Sequence, residues 1–270
     1  MNAHGSTRLG LVLNPLRTEA AQVAARLDVA ATARGHTTIR TGLGLPAPVD
    51  VVVGIGGDGT LLEAAQVAHA ADIPVVGVNL GTVGYLTEFE PGELEVLLDV
   101  LDQRPRPELG RMTVRAETAD GSVWHGINDV VVEKVLSQRV VRIAVAINGE
   151  HFTTYRADGI IVASPLGSTA YSLSVGGPVL APELEALVLT PVAPHSLLSR
   201  SLVLAPDSVV EFRNASDRAV RVNLDGREAR VLGEGEVLVV RRGDRPVRFV
   251  SLGRHPFPQG VRKQFGLDHA

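Results

Sequence analysis

Residues 51–60 read VVVGIGGDGT, a run of valines followed by glycines at 54, 56, 57 and 59 with one aspartate, Asp58, set among them. The spacing Gly54-x-Gly56-x-x-Gly59 satisfies the glycine fingerprint of dinucleotide-binding folds, with a strand before it and a helix after it. That fingerprint also needs a carboxylate about 20 residues on, at the tip of the next strand. The next strand, PVVGVN at 74–79, ends instead on Asn79, and the glycine loop follows the third strand of the chain, not the first. A hydride-transfer site is therefore disfavoured. No Gly-Lys pair occurs in the chain, which removes the Walker phosphate loop as well.

The aspartate itself suggests other chemistry. Glycines 56, 57 and 59 let a ligand approach the backbone closely. The amides that open the following helix, with Thr60 as the expected cap, favour anions by about 0.3–1 kcal/mol each. A carboxylate beside a bound phosphate is what phosphoryl transfer uses to take the proton of the attacking hydroxyl. Such general-base help is worth about 10²–10⁴ in rate. Asp58 also suits the shell of a phosphate-bound Mg²⁺. A plain turn with Asp58 capping the helix is the bland alternative.

Outward from the loop, the first hundred residues alternate strand and helix. Leu9–Asn14, His36–Thr41, Val49–Ile55 and Pro74–Asn79 read as strands. Apolar residues at Ala20, Val23, Ala24, Leu27 and Ala31 mark one helical face. Thr60–Ala71 and Pro91–Leu101 give two more helices, so the N-terminal region is an open α/β sheet. The segment RPRPELG, 104–110, stops both helices and central strands. Beyond it, short β-rich runs (Met112–Glu117, Val130–Glu133, Val140–Ile147, Ile160–Ala163, Val209–Phe212, Val220–Leu224, Val237–Val240 and Val247–Leu252) are punctuated by Asn148-Gly149 and Asp225-Gly226. The expected organisation is an α/β domain over 1–103 and a β-rich, sandwich-like domain over 110–252, with a helical interruption near 167–175. A tail, 253–270, returns to the first domain or frays.

Bulk properties exclude several classes. The net charge of −4 supplies no basic field for nucleic acid or an anionic membrane. No apolar run reaches the ~18 residues of a membrane span, and the N-terminus lacks the pattern of a signal peptide. The absence of cysteine removes disulfides and thiolate metal sites. The expectation is a soluble, cytoplasmic protein. Its eight histidines (4, 36, 69, 125, 151, 195, 255 and 269) show no pair at metal-ligand spacing. No G-x-S-x-G supports a serine hydrolase.

Further glycine-marked polar stretches follow in order: GVNLGTVGYLT at 77–87, Asn128-Asp129, RADGIIVASPLGSTAYSLSVGGP at 156–178 and TPVAPHSL at 190–197. Together with GGDGT they resemble the bacterial NAD kinase family over nearly the whole span from Leu9 to Leu252. GGDGT alone is shared with lipid kinases and phosphofructokinases, whereas STAYSLSVGGP is far more specific. The resemblance implies an enzyme that moves a phosphoryl group from ATP or polyphosphate to the 2′-hydroxyl of the adenosine ribose of NAD, giving NADP. It implies a divalent metal, Mg²⁺, and a homodimer or homotetramer.

Carried over residue by residue, the resemblance makes Asp58 the base, with Gly59 against the dinucleotide. Asn128 and Asp129 would hold the adenosine. Arg139, Arg156 and Asp158 would lie at the dinucleotide site, some reaching in from a neighbouring subunit. Thr169, Ala170, Tyr171, Ser172, Leu173 and Ser174 would line the nucleotide pocket, with Tyr171 as a stacking face and Ala193 as a wall. Arg227 stands where the family often has glutamine. Asp129 replaces a usual glutamate, Glu63 a common basic residue, and Ser164 and Leu166 the usual threonines. These departures keep two alternatives open, a non-catalytic NADP(H)-binding paralogue and a lipid kinase of the same superfamily.

Overall fold

The computed structural model describes residues 6–41, 44–45, 47–81, 87–136, 139–195, 198–254 and 256–267. The chain divides into two compact units, 1–110 with 247–270, and 111–246.

In chain order the first unit contains β1 (Arg8–Leu13), α1 (Thr18–Ala33), β2 (Thr37–Arg40), β3 (Val51–Gly56), α2 (Asp58–Ala71), β4 (Val75–Asn79), α3 (Leu94–Asp102) and β5 (Glu108–Arg111). The second unit holds β6 (Val114–Thr118), β7 (Val123–Gly126), β8 (Asp129–Lys134), β9 (Val141–Ile147), β10 (Glu150–Ala157) and β11 (Gly159–Ala163). A 3-10 turn at Leu166–Thr169 and the single-turn α4 (Tyr171–Ser174) follow. The unit closes with β12 (Leu187–Val192), β13 (Leu202–Leu204), β14 (Val210–Asn214), β15 (Val220–Leu224), β16 (Arg227–Leu232) and β17 (Val237–Arg242). β18 (Val247–Val250) and α5 (Phe257–Gln264) return to the first unit.

The first sheet runs β2-β1-β3-β4-β18-β5. β1, β3 and β4 are parallel, with Leu9 beside Val51 and Val52 beside Val75. Every residue of β3 is buried, because the sheet is covered on both faces. Val51, Val53 and Ile55 pack with the Ala20, Val23, Ala24 and Leu27 stripe of α1 and with Leu97, Leu98 and Leu101 of α3. On the other face α2 sits close, since a Cβ at Gly54 would lie 3.0 Å from Ala64 Cβ and one at Gly77 would lie 2.7 Å from Leu61 Cδ2.

The second unit is a sandwich of two six-stranded sheets, β10-β9-β14-β17-β6-β7 and β13-β12-β11-β8-β15-β16. Alternate residues from both sheets, among them Val130, Val132, Ile160 and Val222 from one and Ile143, Tyr155, Phe212 and Leu238 from the other, form its core. Asn148-Gly149 and Asp225-Gly226 make the hairpin turns expected of them, with positive φ at all four residues.

Two expectations are corrected. Val247–Leu252, assigned from sequence to the β-rich domain, instead supplies β18, whose Phe249 pairs in parallel with Val75 of β4. The second unit therefore ends at residue 246. A short apolar run satisfies any buried sheet, so composition could not choose between the two. The helix after the glycine loop begins at Asp58, not at Thr60. Its N-cap is Gly57, and Thr60 is buried in the first turn.

Candidate functional site

In the first unit the site is the exit of β3. Of the loop glycines 56, 57 and 59, Gly56 alone is demanded by packing, since a Cβ there would overlap the Thr60 side chain. A Cβ at Gly57 or Gly59 would meet nothing within 4 Å, so their bareness leaves room for something outside the protein's own packing. Asp58 is half-buried in the first turn of α2, a 14-residue helix whose N-terminal amides face the same loop. Leu80, one residue past β4, donates its N–H to Gly56 O at 3.0 Å. Arg17, at the start of α1, donates through Nη1 to Leu80 O at 2.5 Å. A cation is thus pinned over the strand exits beside the glycine loop. Within the stretch GVNLGTVGYLT, residues 82–86 lie outside the described residues.

In the second unit the Asn128-Asp129 turn is held from three sides. The Asp225 carboxylate accepts the backbone N–H groups of Ile127 at 2.8 Å, Asn128 at 2.7 Å and Asp129 at 3.2 Å. Asp225 N–H donates back to Asp129 O at 3.2 Å. Asn128 O accepts the Ser164 N–H at 2.8 Å, and a Cβ on Gly167 would sit 2.0 Å from that same oxygen. Asn128 is left half-buried on a fixed backbone, whereas Asp129 is only 4% exposed. Burial first, and then the neighbouring Asp225 charge, push the Asp129 carboxyl up to about 7. Near neutrality the Asp129 carboxyl titrates between hydrogen-bond donor and acceptor.

Asp129, Val131 and Glu133 share the face of β8 that points away from the sandwich core. Glu133 accepts from Asn223 Nδ2 at 2.7 Å, and Lys134 Nζ holds Asp158 Oδ1 at 2.6 Å. The 166–177 segment lies by this face. Tyr171 is 39% exposed. Burial, followed by the charges of Glu133, Asp158 and Asp129, raises its hydroxyl pKa. Ser172, expected in the nucleotide pocket, is fully buried and shares a 2.9 Å hydrogen bond with Thr190, so it holds the turn. Thr169 Oγ1 donates to Leu166 O at 3.2 Å, while Ala170, Leu173 and Ser174 are partly or fully exposed around Tyr171. Ala193 is exposed with a left-handed φ of 45°. Arg227 opens β16, two residues after Asp225.

Arg139 and Arg156 are brought together, but apart from Asn128 and Asp129. They line a groove of about 1010 Å³ with Arg142, Arg218, Thr154 and Ser216, among other residues. Here Arg218, with Arg139 behind it, holds the Asp217 carboxyl below its usual range. Sequence reasoning named neither Arg17, Glu133, Lys134 nor Asp225 as a site residue. Asp225 carried a signal that was read only as a hairpin turn. Among the described residues no three His, Cys, Asp or Glu side chains gather to cage a metal. No described helix is long and apolar enough to cross a membrane.

Family models match both parts of the chain, the ATP-NAD kinase N-terminal domain over residues 37–104 and the ATP-NAD kinase C-terminal domain over 127–252. An NAD kinase of Gemmatimonas aurantiaca is 38% identical over 225 residues, covering 81% of this chain and 78% of its own. One of Heliobacterium modesticaldum is 40% identical over 221 residues, with 80% and 78% covered. A yeast NADH kinase solved with NADH superposes with a TM-score of 0.84 at 22% identity, over 99% of this chain and 90% of that one. An Archaeoglobus fulgidus NAD kinase solved with ATP gives 0.74 at 23%, over 97% and 98%. At these identities the two structures speak for the fold alone.

Proposed function

The chain belongs to the NAD kinase family and uses ATP to phosphorylate NAD, and within that activity we propose that Asp58 is the base that takes the proton of the attacking ribose 2′-hydroxyl. The observation that carries this role is the position of Asp58, a half-buried carboxylate in the first turn of α2 between two glycines whose flanks are open. The loose transition state of phosphoryl transfer spreads negative charge over the moving group. The α2 amides stabilise that charge, and Arg17 adds a cation on the donor side.

Asn128 holds the adenosine by directional hydrogen bonds, and Asp129 contributes as donor or acceptor according to pH. Tyr171 offers its exposed face for stacking. Because Arg139 and Arg156 lie in a groove of their own, we assign them to the dinucleotide of a second copy, in a homodimer or homotetramer. The donor range includes inorganic polyphosphate, since amides and a guanidinium recognise phosphate and not the base. The family's divalent metal, here Mg²⁺, fits a site with few protein ligands. Asp58 is the local carboxylate that would help to hold it beside the bound phosphates. When bound, the metal neutralises phosphate charge. The activity belongs in the cytoplasm.

The test is Asp58→Asn, which keeps shape and removes basicity. NADP formation should fall by about 10²–10⁴ while NAD binding, followed by calorimetry, persists. NADP made at the parent rate would remove the general-base role. A variant that also loses NAD binding would make Asp58 a binding group.

A further inference from the structure

The parallel strands of the first unit have a second polar end. Gly57 and Asp58 follow β3, whereas Ser6, Asp50 and Ile73 lie just ahead of β1, β3 and β4, at the opposite edge of the sheet. There Ser6, Val49, Asp50, Ile73, Arg104 and Arg106 bound a cavity of about 420 Å³.

Its charge is unbalanced. Arg104 Nη2 and Arg106 Nη2 both donate to one neutral hydroxyl, Thr7 Oγ1, at 3.0 and 3.5 Å. Their other bonds go to main-chain carbonyls, from Arg106 Nε to Leu101 at 2.9 Å and from Arg104 Nη1 to Leu101 and Gln103 at 2.5 and 2.7 Å. Among the described residues no carboxylate lies within ion-pair distance of either guanidinium, and the nearby ones are committed elsewhere. Asp50 is held by Arg8 at 2.9 Å, Asp102 by Arg34 at 3.3 Å, and Glu108 by Arg248 at 3.2 Å. Burial, followed by the charge of Arg104, draws the Arg106 guanidinium below its ordinary range. Closing the carbonyl end of α3 explains the bonds to Leu101. It does not explain two cations, neither of them in an ion pair and only partly offset by the charges of Glu108, Asp50 and Asp102, meeting at one hydroxyl beside a cavity.

We propose that this cavity binds a small oxyanion of the phosphate class, held by the donors of Arg104 and Arg106, at a site remote from the catalytic loop. Each guanidinium carries five N–H donors in a planar fork that suits tetrahedral oxyanions, and each has donors left over. Occupation would relieve the repulsion between the two cations and tie the start of β1 to the segment after α3. Such a ligand stabilises the fold and takes no part in the chemistry.

The probe is inorganic phosphate, titrated calorimetrically into the full chain already saturated with NADP and ADP, so that both the dinucleotide and the donor sites are filled. The parent should bind one phosphate per chain. Arg106→Gln and Ser6→Glu should each weaken that binding at least about tenfold, the scale of losing or opposing one charge-assisted bond. Ser6→Glu retains both arginines and every bond they make, so it decides the matter if Arg106→Gln fails to fold, and it should form NADP at the parent rate. No phosphate binding to the parent, or binding that Ser6→Glu leaves unchanged, overturns the proposal.

Discussion

Replacing Asp129 with asparagine should make the protein more stable at neutral and alkaline pH. The carboxyl is 4% exposed and stands beside Asp225, and its pKa rises from 3.8 to about 7. For an acid that shift means the folded state binds the proton more tightly than the unfolded state. Stability is therefore lost as pH rises through that interval, and the loss is complete above pH 7. At 1.36 kcal/mol per unit the charged form costs about 4 kcal/mol, and relaxation of the loop reduces this to roughly 2–4 kcal/mol. Asparagine keeps the shape and carries no charge. In urea unfolding at pH 8.5 the variant should gain that amount. The gain should shrink as pH falls below 7 and be nearly gone by about pH 4. A variant no more stable than the parent at pH 8.5, or one whose gain is equal at pH 4 and 8.5, would refute the reasoning.

Gly167→Ala should destabilise by about 1–3 kcal/mol and weaken NAD binding, because its Cβ would lie 2.0 Å from Asn128 O. Parent-like unfolding and a parent-like NAD Kd would mean the turn is not rigid. Arg17→Gln should raise the KM for ATP about tenfold and leave that for NAD unchanged; an equal rise in both would place Arg17 outside the donor side. Removing divalent metal with a chelator should abolish NADP formation, and added Mg²⁺ should restore it. Activity that persists in the chelator excludes a metal requirement.

The parallel sheet was legible because β1, β3 and β4 are covered on both faces and their sequences are apolar except at Arg8, which opens β1, and Asn79, which closes β4. In the second unit the strands that escaped the sequence reading, β7, β10, β13 and β16, are sheet edges, as is β5 in the first. An edge strand buries less, so its sequence alternates weakly: REARVL in β16 and EHFTTYRA in β10 read as polar loops. β12 is internal but carries Pro191, which argues against a central strand.

The candidate site follows the same division. Asp58 stands out in the sequence because a carboxylate among glycines has little packing use, and this is what makes it the residue proposed for the chemistry. Asp225 does not, because an Asp-Gly pair is fully explained by a left-handed hairpin turn, and nothing local says where the side chain points. Its three backbone partners lie 96–98 residues away in sequence. The turn that places Asp225 and the carboxylate that fixes Asn128 are therefore one feature serving two needs. Asp225→Asn can keep the hairpin while weakening three charge-assisted hydrogen bonds. A loss of NAD binding with β15 and β16 still paired would separate the two needs, because only the second depends on charge.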